Sequence, residues 1–192
     1  RLDAKSADQA FARISPTTDN SGLRSAEILV EAIVEDLAIK RQVFREIDEV
    51  CGPATVLATN TSSLRIEQIA QDVGRPERVL GLHFFNPPAK MRLVEIIRTD
   101  RTDTESLGRA VSLVRRLGKT PVIVRDCAGF LVNRLLAPFM NEAGFLLAEL
   151  RDPLVMEQAA ISFGMPMGPL RLTDLVSFDV SAKVAAHLHE AY

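Results

Sequence analysis

The stretch VLGLHFFNPPAKMRLVEII, residues 79–97, holds two apolar runs on either side of Asn86-Pro87-Pro88. Proline has no N–H and a fixed φ, so the two prolines end any regular element and read as a reversal of the chain. The first run, Val79-Leu80-Gly81-Leu82, ends on His83, and the second, Leu93-Val94-Glu95-Ile96-Ile97, carries a glutamate at its centre. A carboxylate inside a strand that reads as buried is costly unless something pairs with it. If the chain turns back at the prolines, the two strands lie side by side and His83 is the partner within reach. A histidine held by a carboxylate is a tuned general base.

Working outward, ILVEAIV at residues 28–34 is an almost continuous apolar run, as expected of a strand covered on both faces. Asp36 follows, and then Leu37, Lys40, Val43, Phe44, Ile47 and Val50 recur at helical spacing up to Gly52-Pro53. Residues 55–58 read as a strand, 63–73 as a helix, 104–117 as a helix closed by Gly118, and 121–124 as a short strand. Ahead of them, residues 1–13 read as a polar helix and 14–22 as a short strand breaking into turn residues. Strands alternating with helices form parallel βαβ units, hence an open, doubly wound α/β sheet. Ligands of such sheets sit beyond the carboxyl ends of the strands. Glu35, Asn60, Ser62 and His83 all fall at such ends, which points to one shared cleft.

After Arg125-Asp126 the pattern changes. Residues 130–150 are apolar at helical spacing, 153–163 read as a second helix, GMPMGPL at 164–170 as a rigid turn, and 172–192 as one or two more helices. The expected division is therefore 1–126, an α/β unit, and 127–192, an all-helical C-terminal domain.

Composition narrows the function. A net charge of −2, 5% aromatic residues and no Trp argue against a surface that coats or stacks on nucleic acid. No apolar run reaches the length of a membrane span. Cys51 and Cys127 lack disulfide-framework or metal-ligand spacing and read as two reduced thiols of a cytosolic-type compartment, with no metal site expected.

Several words of the chain carry a resemblance: VEAIVEDLAIK (30–40), ATNTSSL (58–64), GLHFFNP (81–87), LVEII (93–97), LGKTPV (117–122), DCAGFLVNRLLAP (126–138) and GMPMGPL (164–170). Together and in this order they resemble the L-3-hydroxyacyl-CoA dehydrogenases. PTTD (16–19), DCAGF and the closing EAY look more like the dehydrogenase segment of a multifunctional fatty-acid-oxidation protein than a stand-alone enzyme. The resemblance implies a partial doubly wound Rossmann-type parallel sheet followed by the helical domain, and NAD as cofactor. It also implies oxidation of an L-3-hydroxyacyl-CoA to the 3-ketoacyl-CoA in fatty-acid β-oxidation. Neighbouring readings are a short-chain 3-hydroxybutyryl-CoA dehydrogenase and a non-catalytic structural relative. The implied partners are acyl-CoA and a second copy of the chain or the other subunits of a β-oxidation complex. The implied location is bacterial cytoplasm or an organelle matrix.

Two departures stand out. No two of the ten glycines are separated by a single residue, so the GxGxxG turn is absent; with Arg1 opening inside a helix, this makes the chain an expected fragment with an incomplete helical domain. Where the family has VGLD, this chain has Val176-Ser177-Phe178-Asp179, so packing or substrate fit is expected to differ there.

By resemblance, His83 is the base that takes the proton of the 3-hydroxyl, and Glu95 holds its ring. Ser62 and Asn133 are the hydrogen-bond partners of the reacting oxygen and thereby bind substrate. Glu35, Lys40, Ser62 and Asn86 meet the cofactor. Each has a plainer reading: Glu95 as an edge-strand surface residue, Ser62 or Ser63 as a helix N-cap, Asn133 as a polar first-turn residue, and Glu35 with Lys40 as a solvated pair at a helix start. Phe84 and Phe85 read as core, His187 and His189 as solvated. Arg115, Arg116 and Lys119 read as a helix C-terminal cluster, which a CoA phosphate would also suit.

Overall fold

In the computed structural model, which describes residues 3–176 and 178–191, the chain opens with helix α1 (Ala4–Phe11), capped by the Asp3 side chain. The strand expected after it does not form. Ile14 is 66% exposed and is followed by Ser15-Pro16, so it has neither a neighbouring strand nor a full set of backbone donors. Strand β1 (Ile28–Glu31) comes next, then α2 (Leu37–Val50), β2 (Val56–Thr59) and the single-turn helix α3 (Ile66–Ile69). Strands β3 (Val79–Phe84) and β4 (Leu93–Arg98), helix α4 (Thr104–Arg116) and β5 (Thr120–Arg125) complete the sheet.

The strand order is β1-β2-β3-β4-β5, parallel throughout except for β3 and β4. That antiparallel pair is the reversal at Asn86-Pro87-Pro88, and its register sets His83 opposite Glu95. Lys119 secures the turn by donating to the carbonyls of Pro88 and Met91, so its ammonium works on the backbone.

Side chains alternate across the sheet and build a core on each face. One contains Phe44 and Ile47 of α2, Ile66 and Ile69 of α3, and Leu57, Val79 and Ile97 of the strands. The other packs Val56, Ala58, Leu80, Leu82, Val94 and Ile96 under Ala110 and Val114 of α4. Helices on both faces make the sheet doubly wound. A fully buried side chain such as Phe44 contributes about 1.5–3 kcal/mol.

Two elements end differently from their sequence pattern. β1 stops at Glu31 rather than continuing to Val34, because the N–H of Ile33 bonds to Glu31 Oε1 at 2.6 Å and leaves the ladder. The helix expected over residues 63–73 shrinks to α3 and a following 3₁₀ turn, Ala70–Asp72. Its start is capped from a distance: Asp126 accepts from the N–H groups of Ile66 and Glu67, so neither Ser62 nor Ser63 serves as N-cap.

The helical part comprises α5 (Val132–Leu150), α6 (Pro153–Phe163), α7 (Pro169–Val176) and α8 (Phe178–Ala191). The turn before α7 is tied by Glu157, whose carboxylate accepts from the backbone of Gly168, Leu170 and Arg171. Among the described residues, no helix is long and apolar enough to cross a membrane.

Candidate active site

Strand alternation directs His83 and Glu95 to the same face of the sheet, where both are buried, at 7% and 0% exposure. His83 Nδ1 stands 2.8 Å from Glu95 Oε2. With a carboxylate on Nδ1, the tautomer that satisfies the bond carries its proton there, which leaves Nε2 with a lone pair. Glu95 is no surface residue: its other oxygen, Oε1, accepts from the N–H groups of Leu131 and Val132, both at 2.9 Å. Those amides are the start of α5, so one carboxylate satisfies the orphan donors of a helix N-terminus and orients an imidazole on a strand.

Two aromatic rings flank His83, Phe85 at 4.5 Å and Phe130 at 5.8 Å between ring centroids. Phe130 holds φ at 49°, a costly conformation for a bulky residue, while 99% of its surface is buried. Phe85, expected in the core, is half-buried against the imidazole, and Phe130 carries no site signal of its own in the sequence. The only signal is position: Phe85 closes the word His83-Phe84-Phe85, and Phe130 follows the glycine of DCAGF.

Beyond the end of β2, Ser62 is joined directly to Asn133 in the first turn of α5, Asn133 Nδ2 donating to the Ser62 carbonyl at 3.0 Å. Glu35 lies in the loop beyond β1 and gathers the residue 61–63 turn: Thr61 Oγ1 at 2.6 Å, Ser62 N at 3.0 Å and Oγ at 3.3 Å, Ser63 N and Oγ at 3.2 Å. Burial pushes the Glu35 carboxyl up, but these hydrogen bonds and the charge of Lys40 outweigh it and hold the group below its ordinary value. Lys40 is no solvated partner: its side chain is 1% exposed, with Nζ 2.7 Å from Glu31 Oε1 and 3.5 Å from Glu35 Oε2. Glu31 was missed in the sequence, where it reads as one more residue of a strand. Asn60 Oδ1 accepts from the Phe84 N–H, tying β2 to β3 next to His83. Asn86 is exposed at the end of the same segment.

The Asp126 side chain is 4% exposed, and this burial raises its carboxyl above the ordinary range against the pull of the Glu67 and Ile66 amides and Arg65. Phe178 lines an apolar cavity of about 680 Å³ with Asn133, between α5, α7 and α8. Ser177 and the side chain of His187 lie outside the described residues, and His189 is exposed.

Taken as a set, a buried His–Glu dyad, a serine and an asparagine stand together where strands β2 to β4 meet the first turn of α5. Residues 1–127 match the model of the 3-hydroxyacyl-CoA dehydrogenase NAD-binding domain, and residues 129–192 that of the 3-hydroxyacyl-CoA dehydrogenase C-terminal domain. The chain belongs to the 3-hydroxyacyl-CoA dehydrogenase family. The fatty acid oxidation complex subunit alpha of Shewanella amazonensis is 46% identical over 183 residues, 95% of this chain and 26% of that subunit. The corresponding subunit of Shewanella sp. strain MR-7 is 48% identical over 178 residues, 93% of this chain and 25% of that one. The chain thus spans about a quarter of the length of the curated relatives it matches. Among solved structures, M. tuberculosis FadB2 superimposes with a TM-score of 0.95 at 37% identity, over 100% of this chain and 68% of that one. The 3-hydroxybutyryl-CoA dehydrogenase of Escherichia coli K12 gives 0.92 at 40% identity, over 99% of this chain and 41% of that one.

A dinucleotide can be tested against the residues of this family member. The Ser62 hydroxyl, the exposed Asn86 carboxamide and the exposed apolar side chains of Ile33 and Val34 stand beyond the carboxyl ends of β1 to β3, polar groups and apolar surface that fit the nicotinamide end of NAD. A glycine-rich turn for the pyrophosphate is not among these residues.

Proposed function

We propose that the chain is the catalytic part of an NAD-dependent 3-hydroxyacyl-CoA dehydrogenase. It contributes the second part of a dinucleotide-binding domain (residues 1–126) and the first part of a helical domain (127–192). The observation that carries this reading is the 2.8 Å bond that fixes His83 against Glu95 beside the joined pair Ser62 and Asn133. When bound, NAD would supply the acceptor for the hydride that leaves C3. His83 Nε2 takes the proton of the 3-hydroxyl, and Glu95 stabilises the imidazolium so formed. Ser62 and Asn133 are neutral hydrogen-bonding groups and stabilise the charge that develops on the reacting oxygen without changing protonation state themselves. Glu35, Lys40 and Asn86 serve the cofactor side.

The names of the relatives support a subunit of a bacterial fatty-acid-oxidation complex; on this reading it works in the cytoplasm, with the helical domain as the surface for a second copy or another subunit. The Escherichia coli structure supports a second reading, a short-chain 3-hydroxybutyryl-CoA dehydrogenase, which acyl-chain-length dependence of kcat/KM separates from the first.

The test uses the parent protein with its glycine-rich turn, assayed for NADH oxidation by acetoacetyl-CoA, alongside His83→Gln. Activity in the parent and its loss in a folded His83→Gln is the expected result. Equal activity in both sinks the assignment of the base, and none in either sinks the reaction.

A further inference from the structure

Phe130 has no place in the chemistry above, and its backbone sets it apart. Among the described residues other than glycine, a positive φ occurs at Phe130, 49°, and at Arg151, 54°. Arg151 is the C-cap of α5, an ordinary place for the left-handed conformation. Phe130 lies in the turn that leads into the same helix, where no helix ends, and φ above zero is costly for a bulky side chain. Filling the core does not require it, since Phe44 is as deeply buried in the same cluster from within a regular helix. Strain of this kind persists where the surroundings over-determine it, and the dyad is part of those surroundings.

The ring of Phe130 stands 5.8 Å from that of His83, centroid to centroid. The next two residues, Leu131 and Val132, give their N–H groups to Glu95 Oε1, and α5 has no side-chain N-cap of its own. A hydrogen bond tolerates some tilt, so the bond from Nδ1 to Glu95 does not by itself set where Nε2 points. A wall against the imidazole supplies the missing restraint. Phe85 is nearer, at 4.5 Å, but only half-buried, whereas Phe130 is 1% exposed and packed on every side.

We propose that Phe130 is a positioning residue: its ring holds the imidazole so that Nε2 meets the substrate hydroxyl, and the left-handed turn at its backbone carries the Leu131 and Val132 amides to Glu95. Being buried, it has no surface to offer a ligand and acts through His83 and Glu95 alone. The inference rests on the dehydrogenase reading of the cleft.

Phe130→Leu is the informative change, because it keeps an apolar side chain and removes the flat ring. In the parent protein, the single-turnover rate of NADH oxidation at saturating acetoacetyl-CoA should fall about tenfold or more, at an unchanged half-saturating acetoacetyl-CoA concentration. Phe44→Leu makes the same truncation in the same core cluster, on α2. It should lower the melting temperature by a similar few degrees and leave the single-turnover rate as in wild type. A wild-type rate in folded Phe130→Leu overturns the proposal. So does an equal loss of rate in Phe44→Leu, which would make the effect one of core loosening. Should Phe130→Leu not fold, Phe130→Met, whose flexible side chain refills the site without a flat face, carries the same expectation and the same refutation. Absence of activity in the unmutated parent would instead sink the dehydrogenase reading itself.

Discussion

At the scale of single residues, Glu95 shows how a carboxylate can be irreplaceable by its own amide. It uses one oxygen for His83 and the other for two N–H donors. A glutamine has one oxygen and one NH2. If the NH2 faces His83, Nδ1 must accept, the ring proton moves to Nε2, and the base is lost; if it faces α5, it meets two other donors. Glu95→Gln should therefore reduce kcat on the order of a thousandfold or more, as a wrong-tautomer variant does, and steady-state kinetics on folded protein will check it. It should also lower stability by about 1–3 kcal/mol through an unsatisfied buried donor. Glu35 yields a pH prediction. Its carboxyl is held below the ordinary value, so its contribution is present above the usual carboxylate range and is lost as pH falls through its folded-state pKa. Glu35→Gln should cost on the order of 1 kcal/mol at neutral pH, and the gap to wild type should close on acidification; urea midpoints across that range measure it. The pairing of His83 with Glu95 was legible because both sit in apolar runs on either side of a proline-marked reversal. The burial of Glu31 among polar partners was not, because those partners, Lys40 and Thr59, lie 9 and 28 positions away on other elements.

Among the elements, β3 and α5 fix the geometry of the cleft. Gly81 lies two residues before His83 at a place without room for a side chain: an added Cβ would stand 2.8 Å from Ile97 Cδ1 and 2.9 Å from Ile66 Cδ1. Both neighbours are wholly buried, so Gly81→Ala forces β4 or α3 outward. A loss of about 1–3 kcal/mol is expected from overpacking, read as a lower urea midpoint at unchanged slope, with a fall in kcat as the strand carrying His83 shifts. α5 is held through its first turn, with Glu95 on the amides of Leu131 and Val132 and Asn133 on the Ser62 carbonyl. The existence and type of most elements followed from periodicity. The short α3 did not, because its cap is Asp126, sixty positions from the Ile66 amide it satisfies, and no local pattern records such a partner.

For the molecule as a whole, the alternation of strands and helices and the change of pattern near residue 126 made the doubly wound sheet and the helical addition legible. The antiparallel β3–β4 pair is where a purely parallel reading departs from the sheet, and it is the same feature that builds the dyad. In the proposed reaction this arrangement exchanges hydride at C3 of a 3-oxygenated acyl-CoA, with His83 handling the proton. The most direct measurement supplies the parent protein with acetoacetyl-CoA and NADH deuterated at the transferable position of the nicotinamide, and locates the label in the product. The expected result is deuterium on C3 of 3-hydroxybutyryl-CoA with wild type and no labelled product with folded His83→Gln. Label lost to solvent, no turnover by the wild-type parent, or equal labelling by His83→Gln would contradict it.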